Sequence, residues 1–147
     1  MEHCKVQIVN KSKNPLPGYM TQGAAGMDLY ADLDGEVTLQ PMEIRSIPTG
    51  IHIQLPEGVE AQIRARSGLS SKYGITLING IGTIDSDYRG EIKVPLINLG
   101  AQPYRIQPGE RICQMVVKRY IVATLEMVEE LEDTTRGHGG FGHSGKR

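Results

Sequence analysis

The chain has 147 residues, 22% of them charged, and a formal net charge of -1. That length suits a single core. The near-neutral balance leaves no basic stripe for a long nucleic-acid partner, and no stretch approaches the roughly 18 apolar residues of a membrane span.

Residues 1–13 are polar and mixed, with no apolar run of signal length, so a cytoplasmic protein is expected. Cys4 and Cys113 lie far apart. One bridge between them is open, but two free thiols are expected, Cys113 in the core and Cys4 near the terminus. Ile51, Ile53 and Leu55 alternate with His52 and Gln54. Pro56-Glu57-Gly58 then reads as a turn, and Val59, Ala61, Ile63 and Ala65 alternate with Glu60, Gln62 and Arg64. This period-two pattern predicts a hairpin. The best helical window is 68–73, at most two turns, with Ser67 or Ser70 as its cap. Ile92, Val94 and Leu96 alternate again, and Pro95 suggests an edge position or a distorted ladder. Tyr104 and Ile106 precede a Pro108-Gly109 turn, residues 112–117 are nearly all apolar, and 121–128 is a further strand candidate. Many short strands, with 18 glycines to turn between them, predict an all-β sandwich or barrel. Patterning alone fits a β-sandwich binding module as well as an enzyme.

The 136–147 segment breaks this pattern. It has five glycines in twelve residues and carries the chain's one phenylalanine, Phe141. It cannot bury enough apolar surface to fold alone. His138 and His143 lie in it, but no Cys/His cluster has the spacing of a metal site.

Three segments combine residue types that suit a nucleotide. In Ala65-Arg66-Ser67-Gly68-Leu69-Ser70 an arginine, a hydroxyl and a glycine follow a strand. A guanidinium and backbone N–H groups are good phosphate donors, although Arg66 also reads as a surface charge beside a plain turn. From Asn79 to Glu91 there are glycines for close approach, an amide, two aspartates and Tyr88. On a strand, Asp85 and Asp87 would point the same way, as a site or as charges blunting a sheet edge. In Gly109-Glu110-Arg111-Ile112-Cys113-Gln114, Gln114 interrupts an apolar run and must find a partner in the core or in a ligand.

Taken together, these segments resemble the homotrimeric dUTP pyrophosphatases (dUTPases). Five motifs appear in the family's order: Ala25-Gly26-Met27-Asp28-Leu29-Tyr30-Ala31, Arg66-Ser67-Gly68-Leu69, the 82–90 segment, the 109–114 segment and the 136–145 segment. The resemblance implies a jelly-roll-like β-barrel over residues 1–135 and a flexible glycine-rich arm at 136–147 that closes over an active site. It implies a homotrimer with sites between subunits. The implied reaction is that of dUTP diphosphatase: water attacks the α-phosphorus of dUTP, giving dUMP and pyrophosphate, which keeps uracil out of DNA and supplies dUMP for thymidylate synthesis.

By the same resemblance, Asp85 is the catalytic residue that holds the attacking water. Asn79 and the backbone of Gly82, Thr83 and Ile84 read uracil, and the Tyr88 ring packs on the deoxyribose and leaves no room for a 2′-hydroxyl. Arg66, Ser67, Gly68 and Gln114 hold the phosphates. Arg136, Gly140, Phe141, Gly142 and Ser144 contact substrate from the arm. Mg²⁺ is held chiefly by the three phosphates and by water, with Asp28 contacting that hydrated ion through water or supporting its surroundings, and no direct protein ligand is singled out. The arm departs from the family's usual Gly-Ser-Thr-Gly, reading Gly142-His143-Ser144-Gly145. A histidine can still donate to phosphate. The related dCTP deaminases are the main rival, but the 82–90 and 136–145 segments match the pyrophosphatase pattern better. A protein that binds dUTP without turning it over is a third reading.

Overall fold

The computed structural model of the protein describes residues 3–141. Among these the strands are β1 (Gln7–Asn10), β2 (Met27–Tyr30), β3 (Val37–Leu39), β4 (Ile44–Pro48), β5 (Ile51–Gln54), β6 (Val59–Ala65), β7 (Ile75–Leu77), β8 (Ile81–Ile84), β9 (Lys93–Asn98), β10 (Tyr104–Ile106) and β11 (Arg111–Arg119). One helix, α1 (Ser67–Tyr73), lies between β6 and β7. No helix among the described residues is long and apolar enough to cross a membrane.

The strands pair antiparallel in four sheets: β1-β5, β3-β10, β2-β11-β6-β8 and β4-β9-β7. The expected jelly-roll-like barrel is therefore corrected. The fold is mostly β, but no sheet is closed into a barrel. The outer strands β2 and β8 of the largest sheet are not bonded to each other, nor are β4 and β7. Closure needs one continuous, staggered ladder. Here the strands run from three to nine residues and are divided among separate ladders.

Alternation sets the core. In β6, Val59, Ala61 and Ile63 are buried while Glu60, Gln62 and Arg64 are half-exposed. Leu29, Leu39, Ile47, Ile75, Val94, Leu96, Ile106, Ile112 and Met115 meet them in one cluster. Burial of such side chains stabilises by about 1.5–3 kcal/mol each. Cys113 lies in this core and Cys4 is exposed, both free. Burial, and then the nearby Asp28 charge, push the Cys113 thiol well above its ordinary pKa.

Four local expectations change. Residues 51–65 do not form a hairpin: β5 pairs with β1, and β6 with β11 and β8. The 56–58 turn, with Gly58 at φ 77°, carries the chain from one sheet to another. Pro95 lies in the middle strand of β4-β9-β7 and not at an edge. Its carbonyl accepts from Ile78 N at 3.0 Å, so its nitrogen also points to that side, just past the end of β7, and no ladder bond to β4 is lost. Residues 121–128 form no strand, and Ile121, Leu125 and Met127 are almost wholly exposed. The N-cap of α1 is Arg66, without a side-chain cap bond, and not Ser67 or Ser70.

Candidate active site

A cleft of about 510 Å³ opens along β8 and the loop that follows. Asn79, Gly82, Thr83, Ile84, Asp85 and Tyr88 line it, and all six were expected at the site. The chain enters through a tight turn: Gly80 has φ 71°, and Ile81 N donates to Asn79 O at 2.8 Å. β8 is an outer strand of its sheet, so one edge of its backbone offers N–H and C=O groups. A Cβ at Gly82 would meet Ile63 Cβ at 3.3 Å and Asn79 Nδ2 at 3.4 Å. A side chain there would crowd the floor.

The loop after β8 is held by its own bonds. Tyr88 N donates to Asp85 O at 3.2 Å. Arg89 Nη1 donates to Ser86 O at 2.7 Å and to Tyr88 O at 2.9 Å. The His52 ring donates to Arg89 O at 3.1 Å, and the Tyr88 hydroxyl to Glu91 O at 3.0 Å. Asp85 is thereby fixed, exposed, one residue beyond the end of β8. Asp87 does not share its orientation by strand alternation, because the strand stops at Ile84 and Asp87 sits in a turn outside the cleft.

A second group forms around Asp28, whose side chain is only 4% exposed. Arg111 Nη1 donates to Asp28 Oδ2 at 3.0 Å. Gln114 Nε2 donates to Oδ1 at 3.3 Å, and Arg66 Nε lies 3.5 Å from Oδ1. Arg66 Nη1 also donates to Arg111 O at 2.8 Å. The cluster exists because β2, β11 and β6 are neighbours: Asp28 is opposite Gln114, and Gln114 opposite Arg64. The partner that Gln114 required is thus Asp28. Two guanidiniums against one carboxylate leave a net positive charge, suited to phosphate. Ser67 and Gly68, exposed at the start of α1, adjoin Arg66.

Both Asp28 oxygens are engaged by protein donors. Among the described residues no group of three or more His, Cys, Asp or Glu could hold a metal. This donor set fits an ion carried by the triphosphate and its waters, and does not fit a protein cage.

The two groups occupy separate places on one sheet. Side chains alternate along β6 and β11. Asp28, Gln114 and Arg64 share one face, whereas the cleft wraps the β8 edge, with Ile63 and Gly82 on the other face and Thr83, opposite Gln62, on the Arg64 face. None of Arg66, Ser67, Gly68 and Gln114 lines the cleft of Asp85 and Tyr88.

From the 136–147 segment, Arg136 Nε donates to Gly139 O at 2.8 Å, and Phe141 is fully exposed. Gly140, which adjoins it, is exposed as well. Gly142, His143 and Ser144 lie outside the described residues. Sequence reasoning passed over Arg111 as a site residue, although it stands inside a motif. It also passed over Glu91, Lys93 and Pro95, which line the cleft. Their spacing of two was a usable signal, since alternate residues of a strand share a face.

The dUTPase family model matches residues 3–145. The deoxyuridine 5′-triphosphate nucleotidohydrolase of Finegoldia magna is 58% identical over 141 residues, 96% of this chain and 99% of that protein. Its counterpart in Caldanaerobacter subterraneus subsp. tengcongensis is 60% identical over 142 residues, 96% of each. Among solved structures, the Staphylococcus bacteriophage 80alpha dUTPase with dUPNHPP superposes with a TM-score of 0.87 at 29% identity, covering 96% of this chain and 98% of its own. With the five motifs in order and the match running nearly end to end, the chain belongs to the dUTPase family.

Proposed function

We infer that the protein is a dUTP diphosphatase: it hydrolyses dUTP to dUMP and pyrophosphate. The observation that carries the reading is the convergence of Asn79, Asp85 and Tyr88 on a cleft along the open edge of β8. Uracil presents a ring N–H between two carbonyls. A strand edge with alternating acceptors and donors, together with the Asn79 amide, complements that pattern. The Tyr88 ring covers the deoxyribose and excludes a 2′-hydroxyl by shape.

Asp85, exposed at the cleft, orients one water in line with the α-phosphorus and accepts its proton as the bond forms. Arg66, Ser67, Gly68 and Gln114 hold the phosphate chain. Asp28 keeps Arg66 and Gln114 in place by hydrogen bonds and charge. Bound Mg²⁺ supplies neutralisation of the charge that gathers on the leaving pyrophosphate, and the engaged Asp28 carboxylate fits contact through water.

The separation of the two groups, with none of Arg66, Ser67, Gly68 and Gln114 lining the cleft, supports a site shared between chains, with the cleft of one facing the phosphate group of another. The exposed apolar side chains of Ile121, Leu125, Met127 and Leu131 support burial against a second copy. The homotrimer is the family's assembly. Residues 1–135 act as one domain and 136–147 as an arm that closes over the cleft, with Arg136 on phosphate and Phe141 over uracil. Gly140, Gly142 and Ser144 complete its contacts. The protein works in the cytoplasm, where it keeps uracil out of DNA and provides dUMP for thymidylate synthesis.

The test is a product assay on dUTP and dCTP, with and without Mg²⁺, and with UTP and dTTP as controls. The expected result is dUMP and pyrophosphate from dUTP alone. Asp85→Asn is expected to bind dUTP nearly as well and to turn over at least about 10²-fold more slowly. Near-normal kcat in that variant would remove Asp85 from the mechanism.

A further inference from the structure

We propose that Gly90 is a specificity-determining position, because its missing side chain is the seat on which the Tyr88 ring rests. The proposal builds on the reading of Tyr88 as the wall that faces the sugar.

Glycine is often required by the backbone, but not here. The glycines with positive φ among the described residues are Gly50, Gly58, Gly74, Gly80, Gly109 and Gly137, and Gly90 is not among them. Its φ lies outside the left-handed region that favours glycine. What excludes a side chain is the ring. A Cβ at Gly90 would stand 2.5 Å from Tyr88 Cζ and 2.8 Å from Cε2, nearer than real Cβ atoms approach. The ring therefore folds back over residue 90.

Its far end is tied down there. The Tyr88 hydroxyl donates to Glu91 O at 3.0 Å. Glu91 in turn accepts from Gly50 N at 3.0 Å through its carboxylate, which links the seat to the start of β5. The ring thus has one position, set by a backbone surface beneath it and a hydrogen bond at its tip. Both Tyr88 and Glu91 line the cleft with Asp85.

The colliding atoms belong to the end of a side chain, so a methyl group at residue 90 displaces the ring and leaves the backbone in place. The wall against the sugar shifts without being removed. A displacement of about 1 Å in a positioning group can cost about 10²-fold in rate, and here it falls on the contact that separates deoxyribose from ribose.

The experiment compares the wild type with Gly90→Ala, Tyr88→Ala and the double variant. For each, kcat and KM are measured for dUTP and UTP, and folding is checked by urea unfolding. Gly90→Ala is expected to narrow the dUTP-over-UTP ratio in kcat/KM by at least about tenfold and to have no further effect on that ratio when Tyr88→Ala is present. If Tyr88→Ala narrows the ratio and Gly90→Ala does not, the sugar wall stands and the seat is wrong. If Tyr88→Ala leaves the ratio unchanged, the wall and the seat both fall. Equal losses on the two nucleotides, or unfolding caused by Gly90→Ala even without the Tyr88 ring, would show that glycine serves the backbone and would overturn the proposal.

Discussion

Asp28 is the residue on which the phosphate-binding side chains converge. The family resemblance gives it contact with hydrated Mg²⁺ or support of that ion's surroundings, and its carboxylate is buried and shared by Arg66, Arg111 and Gln114. Removing it leaves two guanidiniums facing each other without a counter-charge. Breaking a buried pair in this way costs about 3–5 kcal/mol, less where the arginines reach solvent. Arg66 and Arg111 are 27% and 39% exposed, so Asp28→Ala is expected to lower unfolding stability by about 2–3 kcal/mol. It should also raise KM for dUTP, because the phosphate donors lose their anchor. Urea unfolding and steady-state kinetics on the same preparation check both effects. Unchanged stability would mean that the arginines find other partners.

Among the elements, α1 is short and depends on its end. Its C-cap, Gly74, has φ 73°, and its N–H bonds the carbonyls of Leu69 and Ser70. A Cβ there would come within 2.5 Å of Gly100 N and 2.8 Å of Gly100 Cα. The left-handed conformation and the backbone neighbour both exclude a side chain. Leu99 N also donates to Gly74 O at 2.9 Å, so the cap ties α1 to the end of β9. Gly74→Ala is expected to cost about 2–4 kcal/mol and to loosen the start of α1, where Ser67 and Gly68 lie. A shift in the urea midpoint, with slower turnover under conditions that keep the variant folded, is the expected outcome. An unshifted midpoint would remove the cap from the account.

At the scale of the whole molecule, the decisive feature is that the phosphate group around Asp28 and the cleft along the β8 edge are separate, with none of Arg66, Ser67, Gly68 and Gln114 lining the cleft. A chain with a ruined cleft and a chain with a ruined phosphate group should therefore repair each other. Asp85→Asn and Arg66→Ala homomers are each expected to be nearly inactive. Unfolded and refolded together in equal amounts, they should recover about one quarter of wild-type activity by random assortment around a cyclic trimer. No recovery in mixed oligomers of verified composition would place each site within one chain. Leu125→Glu with Met127→Glu puts charge on the exposed apolar stretch. It is expected to shift sedimentation from three chains toward one and to lower activity in parallel.

Much of the site was legible in the sequence because its residues come in short local runs. The cleft residues from Asn79 to Tyr88 span one turn, one strand and one loop, so their proximity needed little tertiary information. The alternation in β6 showed which side chains face inward, and the polarity around Gln114 announced a partner. Tertiary structure alone named that partner as Asp28, 86 positions away. It also decided that β5 and β6 join different sheets, that Pro95 sits in a middle strand, that residues 121–128 stay unpaired and that no sheet closes. The reason is physical. Side-chain alternation is a property of one strand and can be read along the chain, whereas pairing and closure depend on which distant strands satisfy each other's backbone groups. A period of two gives each strand an inner face without saying which neighbour lies beside it.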